Sequence, residues 1–114
     1  MNDSMFHMLS CFNLKTDETI DSFRAAFTAF VDEMITIDLV ESSGPIGKRQ
    51  SNTPMDTDAE RSQEYFVIMS FRDRQQVDAA YAHIRQPIER GTESHHSVYS
   101  RVADPIFTCW QDLP

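Results

Sequence analysis

The sequence predicts an α+β fold in which a four-stranded antiparallel sheet carries two helices on one face. Three observations support this prediction. Residues 5–14 and 63–71 are rich in the apolar and aromatic residues typical of strands, two other segments have helical spacing, and the order is strand, helix, strand, strand, helix, strand. Two split βαβ units of this kind place both helices on the same side of the sheet. We therefore expect a single domain over residues 1–114, a length that suffices for one hydrophobic core.

The first strand and the first helix have the clearest patterns. Residues 5–14 are apolar at both alternating sets of positions, with Phe6 and Met8 on one face and Leu9 and Cys11 on the other. The helix that follows has apolar residues at steps of three and four: Ile20, Phe23, Phe27, Phe30, Val31 and Met34. This aromatic stripe indicates the face of the helix that packs into the core.

The middle of the chain is less regular. Residues 35–40 predict a second, weaker strand at an edge of the sheet, and Gly44 and Pro45 end it. From residue 47 to 61 the chain is polar and has no repeating pattern. We therefore expect a mobile loop over about residues 44–62, and a lid over a pocket is the alternative interpretation.

The second half of the chain begins with the strand at residues 63–71. Asp73, followed three residues later by Gln76, is typical of a capping box at the start of a helix. The apolar positions of this second helix are Val77, Ala80, Tyr81 and Ile84. Pro87 interrupts it. Residues 93–102 allow a short additional helix, and residues 106–110 predict the final strand.

Apolar residues on both faces of two strands predict a homodimer. The helices cover only one face of the predicted sheet, and an antiparallel sheet that meets water on its other face normally carries polar residues there. Residues 5–14 and 63–71 are instead apolar at both sets of positions. We therefore expect a second copy of the chain to cover the face without helices, with the two sheets facing each other.

The composition excludes some classes of partner. A formal net charge of −8 repels phosphate backbones and anionic lipid surfaces, so we expect neither nucleic-acid binding nor membrane binding. No apolar run reaches the length of about 20 residues that spans a bilayer, and no secretory signal is visible, so we expect a cytoplasmic protein. We interpret Cys11 and Cys109 as buried free thiols of a reducing compartment, with a cross-strand disulfide as the alternative.

The chain also resembles the dimeric α+β barrel superfamily, which has a ferredoxin-like fold, and within it the stress-responsive A/B barrel family. The resemblance depends on His7 in the first strand, on residues 67–71 followed by Arg72 and Asp73, and on Tyr81 in the second helix. It implies a homodimer with a small cavity between sheet and helices in each subunit. In plant polyketide cyclases of this family, a helix tyrosine and histidines line that cavity. Matched residue by residue, the resemblance implies catalytic roles for His7 and Tyr81.

His7 and Tyr81 are the leading candidate site. If the strand face that carries His7 looks toward the helices, Tyr81 can reach it, and the pair could move a proton to or from a bound enol or phenol. The alternative is that both are satisfied polar groups of the core. The residues that we expect to line the ligand pocket with them are Leu9, Phe27, Tyr65 and Tyr99.

His95 and His96, with Glu93 nearby, are the other titratable cluster. Adjacent side chains diverge on a helix or a strand, so two neighbours rarely bind one ion together. We therefore interpret both histidines as solvated and predict no metal site.

These observations leave several functions open. We expect a stress-responsive A/B barrel-like homodimer that binds a small hydrophobic ligand and needs no cofactor. The alternative is a cofactor-independent enzyme, a cyclase or a monooxygenase, that acts on an aromatic or polyketide-like substrate. A third possibility, implied by some relatives of this fold, is haem binding with His7 or His83 as a ligand.

Overall fold

The structure, a computed structural model, describes residues 4–86 and 93–114. The elements in these ranges are β1 (Phe6–Leu14), α1 (Ile20–Thr36), β2 (Ser42–Ser43), β3 (Gly47–Lys48), β4 (Tyr65–Phe71), α2 (Arg74–Ile84), α3 (Glu93–Tyr99) and β5 (Val102–Gln111). They form an antiparallel sheet with the helices packed against it, which confirms the predicted α+β ferredoxin-like fold class. None of the helices in the described ranges combines the length and apolarity that a bilayer crossing requires.

The sheet is built around the first strand. Its strand order is β2-β4-β1-β5, and β3 also pairs with β4. β1 is antiparallel to both of its neighbours, and a register shift between Cys11 and Asn13 lets β5 continue alongside β1 as far as Val102. The final strand is therefore longer than the predicted residues 106–110. The longer pairing places the end of the chain directly beside the first strand.

The predicted strand at residues 35–40 is wrong. α1 continues to Thr36, and the chain then reverses where Asp38 adopts a left-handed φ of 63° and the Leu39 N–H donates to the Met34 carbonyl at 2.8 Å. Val40 then enters the core. The apolar run is therefore the last helical turn plus a tight reversal, and the strand that follows has only two residues.

The start of α2 confirms the predicted capping motif. The Asp73 carboxylate accepts a hydrogen bond from the Gln76 N–H at 2.9 Å, and the Gln76 side-chain carbonyl accepts from the Arg72 N–H at 2.6 Å. The Gln76 amide also donates to the Asp38 carbonyl at 3.1 Å, which joins the start of α2 to the turn after α1. The predicted interruption at Pro87 lies outside the described residues. A helix of seven residues, α3, lies within the predicted segment 93–102.

The core lies between the helices and one face of the sheet. Phe12 projects from β1 toward α1, where its ring lies 4.7 Å from that of Phe23, and Phe23 in turn stacks on Phe27 with centroids 5.8 Å apart. Buried residues of α1, β4, α2 and β5 complete this cluster. The aromatic stripe of the first helix therefore faces the core, as its spacing predicts.

The opposite side of the sheet, which we call the helix-free face, has three cross-strand rows. The rows are Ser70–His7–Trp110, Ile68–Leu9–Thr108 and Phe66–Cys11–Ile106. Alternation along each strand places these side chains on the side away from the helices. Trp110, Ile68 and Ile106 remain 41%, 39% and 38% exposed. This face therefore presents large apolar side chains to the surroundings of the single chain.

The loop between β3 and β4, residues 49–64, covers one end of the helix-free face. Cys11 lies on that face and is nevertheless only 1% exposed. The charges of Arg61, Asp58 and Arg49 act on its thiol, which places the loop over this end, while burial raises the pKa of the thiol. The Arg49 guanidinium binds both carboxylate oxygens of Asp56, at 2.8 and 2.9 Å, and donates to the Asp58 carbonyl at 2.6 Å. The mobility expected for about residues 44–62 stays a prediction.

The two cysteines are free and do not form the alternative disulfide. Cys11 is on the helix-free face, whereas Cys109 pairs with Met8 in the row that faces the helices. Their side chains therefore leave the sheet in opposite directions, and no cross-strand bridge can join them. Cys109 is also exposed, which corrects the expectation that both thiols are buried.

Candidate ligand-binding cavity

A cavity of about 180 Å³ lies between the sheet and the helices. Its wall is formed by side chains from every helix and from the three long strands. The aromatic and sulfur-containing members are Phe6, Met8, Phe12, Phe23, Phe27, Phe30, Met34, Met69, Phe71, Tyr81, Tyr99, Phe107 and Cys109. Large rings and flexible methionines at this density define a site that favours flat, apolar molecules.

Few polar groups interrupt this wall. Among the described wall residues, only Ser10, Tyr81, His95, Tyr99 and Cys109 carry an oxygen, nitrogen or thiol in the side chain, and none is aspartate, glutamate, lysine or arginine. Burying a charge in such surroundings is costly unless it is paired. The interior of the cavity therefore suits an uncharged body, with a small number of directional contacts to fix its orientation.

His95 is the titratable histidine of the wall. Its ring lies 5.4 Å from that of Phe30 and 6.0 Å from that of Tyr99, with which it is nearly parallel. Burial lowers the pKa of His95, and the neighbouring His96 lowers it further. The imidazole is therefore neutral near pH 7 and has one nitrogen free of a proton.

The interpretation of both histidines as solvated is wrong for His95, because α3 packs its inner side against α1. His96 is exposed, as expected. The helical spacing of His95, Val98 and Tyr99 was the signal that could have revealed this inner side.

The mouth of the cavity is marked by wall residues that remain accessible. Tyr81 on α2 is 60% exposed, Tyr99 on α3 is 52% exposed, and Phe107 on β5 is 49% exposed. Each has one side on the cavity and the other toward solvent. The opening therefore lies between α2, α3 and the last strand, on the helical side of the sheet.

The predicted pairing of His7 with Tyr81 is wrong. His7 is on the helix-free face, where its Nδ1 lies 2.8 Å from the Ser70 hydroxyl, its Nε2 lies 3.0 Å from the Asp112 carboxylate, and its ring lies 5.3 Å from that of Trp110. Tyr81 lines the cavity on the other side. The sheet separates the two side chains, because the parity of β1 turns His7 away from the helices.

The contacts of His7 have the connectivity of a Ser–His–Asp triad, yet they lack its catalytic surroundings. Ser70 lies within β4, where backbone N–H groups point along the sheet while side chains stand perpendicular to it. Donors aimed at an oxyanion beside the hydroxyl are therefore not available from that strand. We interpret the arrangement as a structural hydrogen-bond network, in which His7 holds Asp112 against the first strand.

The other predicted pocket residues divide between the two sides of the sheet. Leu9 lies on the helix-free face, so its prediction as a pocket residue is wrong for the same reason as that of His7. Tyr65 stacks on Phe12 at 5.8 Å and is not among the described wall residues. Phe27 and Tyr99 do line the cavity, and their contact with a ligand stays a prediction.

The positions of the histidines do not support the binding of haem or of a metal ion. Neither His7 nor His83 is among the described residues of the wall. Within residues 4–86 and 93–114, no group of three or more potential metal ligands comes together. We therefore derive no function that depends on a metal or a haem.

No protein-family model and no curated protein matches the chain. Solved structures do match. They include At3g17210 from Arabidopsis thaliana, at a TM-score of 0.69 and 11% identity with 96% of each chain covered. A variant of SnoaB, a cofactor-independent oxygenase from Streptomyces nogalater, matches at 0.64 and 10% identity, covering 94% of this chain and 91% of that one.

A third match is a dimeric ferredoxin-like protein of unknown function from Thermobifida fusca, at a TM-score of 0.59 and 13% identity, covering 97% of this chain and 93% of that one. These similarities show that the chain has a ferredoxin-like α+β fold, as predicted. At this level of identity they establish the fold and not the activity.

Proposed function

We propose that this chain forms a homodimer through the helix-free face and binds a small, largely apolar molecule in the cavity of each subunit. The observation that carries the proposal is the wall of the cavity, which is aromatic and aliphatic with isolated polar groups. Concave apolar sites with a few directional groups are the usual form of small-molecule sites. The dimeric description of a structural neighbour supports the proposed assembly.

The volume of the cavity limits the size of the ligand. An engineered cavity of about 150 Å³ in another protein holds one benzene molecule. The cavity here measures about 180 Å³ and opens toward solvent between α2, α3 and β5. A molecule with one or two fused rings matches this space, and the rings of the wall would stack against it.

Replacing Ala80 by leucine should weaken the binding of such a molecule. Ala80 is a buried residue of the wall, and the added isopropyl group would occupy space that the ligand needs. With 2-naphthol as the probe in isothermal titration calorimetry, we expect affinity to fall about tenfold or more. The matched control is Ala79→Leu, at an exposed position on the same helix. Equal affinities of the two variants, or no binding of 2-naphthol to the wild type, would contradict the proposal.

A second candidate function is cofactor-independent catalysis on an aromatic compound. The specific observation is the neutral His95 on the wall, whose pKa is lowered by burial from the ordinary value of 6.5. Its free nitrogen could accept the proton of a bound phenol, which would leave a phenolate for the next step and an imidazolium on the protein. The SnoaB neighbour is described as a cofactor-independent oxygenase, which supports this class of reaction.

His95→Asn should remove that proton acceptor and leave the cavity in place. Electronically excited 2-naphthol is a much stronger acid than the ground state, so in the wild type the bound probe should transfer its proton to His95 after excitation and emit as naphtholate. In the variant, which lacks this base, the bound probe should emit as neutral naphthol. His96→Asn is the matched control, since His96 is exposed on the same helix. Identical emission spectra of the probe bound to the wild type and to His95→Asn would rule out His95 as the base.

The stress-responsive role and the cytoplasmic location are part of the same proposal. The first depends on the resemblance of His7, residues 67–71 and Tyr81 to the stress-responsive A/B barrel family. The second depends on the composition of the chain. Both agree with a binding protein for a small hydrophobic compound.

A further inference from the structure

We propose that the ligand of the cavity carries an anionic group, such as a carboxylate, and that Arg85, the C-cap residue of α2, binds this group at the mouth. The inference depends on the proposed function, because it concerns the same cavity. An anion cannot lie deep among the rings of the wall without a large desolvation cost. At the mouth it would stay partly hydrated while the apolar body fills the interior.

Two arginines, Arg74 in the first turn of α2 and Arg85 at its C-cap, lie against aromatic rings of the wall. The guanidinium carbon of Arg85 is 5.5 Å from the centre of the Tyr81 ring, and that of Arg74 is 6.0 Å from the centre of the Phe6 ring. Both rings belong to the cavity. Arg74, Tyr81 and Arg85 are separated by seven and four residues, so they share one side of the helix. Arg85 therefore places a positive charge beside Tyr81 at the mouth, and Arg74 places another near Phe6.

The charge of Arg74 reaches the wall but is partly offset. Arg74 opposes the effect of burial on the pKa of the Cys109 thiol, which is a wall residue. Its Nε also donates to the Asp78 carboxylate at 3.1 Å, and both groups are exposed. Arg85 has no ion pair with a carboxylate among residues 4–86 and 93–114 in the structure. Arg85 is therefore the better candidate to bind an anion.

The positive charge of Arg85 at the mouth contrasts with the negative net charge of the whole chain. The chain has a formal net charge of −8, and most of its described arginines already bind carboxylates: Arg49, Arg61, Arg72, Arg74 and Arg101. Acidic proteins repel anionic ligands at long range, so binding one requires a local cation. A planar guanidinium that lies over an aromatic ring at the mouth of the cavity meets this requirement.

The test compares two probes of the same shape in calorimetry, 2-naphthoate and its neutral amide, 2-naphthamide. We expect the wild type to bind 2-naphthoate about fivefold more tightly than 2-naphthamide at low salt. This preference should shrink in 0.5 M salt, because exposed charges are then screened within about 4 Å. Arg85→Gln should lose the preference and keep its affinity for the amide. The matched control is Arg24→Gln, because Arg24 is an exposed arginine on α1. This variant should keep the preference for the carboxylate and the affinity for the amide.

The outcomes separate this inference from the proposed function. If both probes bind equally to the wild type, or if Arg85→Gln keeps the preference for the carboxylate, the role of Arg85 is wrong while the cavity remains a binding site. If neither probe binds to the wild type, the proposed function fails and the inference fails with it.

Discussion

Ile68→Asp is expected to convert the protein from a dimer to a monomer at micromolar concentration. Ile68 lies beside Leu9 in the middle row of the helix-free face and is 39% exposed in the single chain. If a second copy covers this face, the new carboxylate is buried without a partner, at a cost of several kcal/mol. The dissociation constant should rise at least about 100-fold. Size-exclusion chromatography with light scattering measures the change directly.

The control for this prediction is Ile35→Asp. Ile35 is 43% exposed at the end of α1, so the same substitution is made at a similarly accessible isoleucine outside the helix-free face. We expect this variant to remain dimeric. A monomeric wild type, or a dimer that survives Ile68→Asp, would show that the helix-free face is not the contact between subunits.

Phe23→Ala should have the largest effect on stability. Phe23 is 2% exposed, and its ring contacts Phe12 at 4.7 Å and Phe27 at 5.8 Å. Its removal loses the transfer free energy of the ring and leaves a void that α1 cannot close. We expect the free energy of unfolding to fall by about 3–5 kcal/mol. Chemical denaturation monitored by circular dichroism provides the measurement.

The matched control for stability is Phe107→Ala. Phe107 is 49% exposed at the mouth of the cavity, so truncation removes much less buried area. We expect a loss of no more than about 1.5 kcal/mol. Equal losses at the two positions would mean that the rings of α1 do not form the core of this fold.

The sequence was a good guide where local patterns and tertiary packing agree. The strand over residues 65–71 and the start of the second helix at Asp73 follow from β-branched and aromatic residues and from a capping motif. The core side of α1 follows from its spacing. In each case the signal lies within a few neighbouring residues, so it does not require knowledge of distant contacts.

Residues 35–40 show why the edge of the sheet could not be predicted. Their apolar run fits a strand, but Ile35 extends the helix and Asp38 occupies a left-handed turn position that glycine more often fills. The strands that replace the predicted one have two residues each, which is too short for any periodic signal.

Only part of the candidate site could be predicted from the sequence, and the errors have a different cause from that at the sheet edge. Period-two alternation shows which residues share a face, but it does not show which face meets the helices. His7 and Leu9 were therefore assigned together to the wrong side. His95 was missed because the spacing of His95, Val98 and Tyr99 marks one side of α3, whereas the packing of that side on α1 is a long-range contact.

Nuclear magnetic resonance can locate a bound probe and so test directly whether the cavity between sheet and helices binds a ligand. Intermolecular nuclear Overhauser effects between 2-naphthol and the protein report which methyl groups lie within a few ångströms of the ligand. If the ligand binds in the cavity, contacts are expected to the methyl groups of Met34 and Val67, which are buried on its wall. Contacts confined to Leu9 and Ile68 on the helix-free face would contradict it, because the ligand would then bind on the opposite side of the sheet.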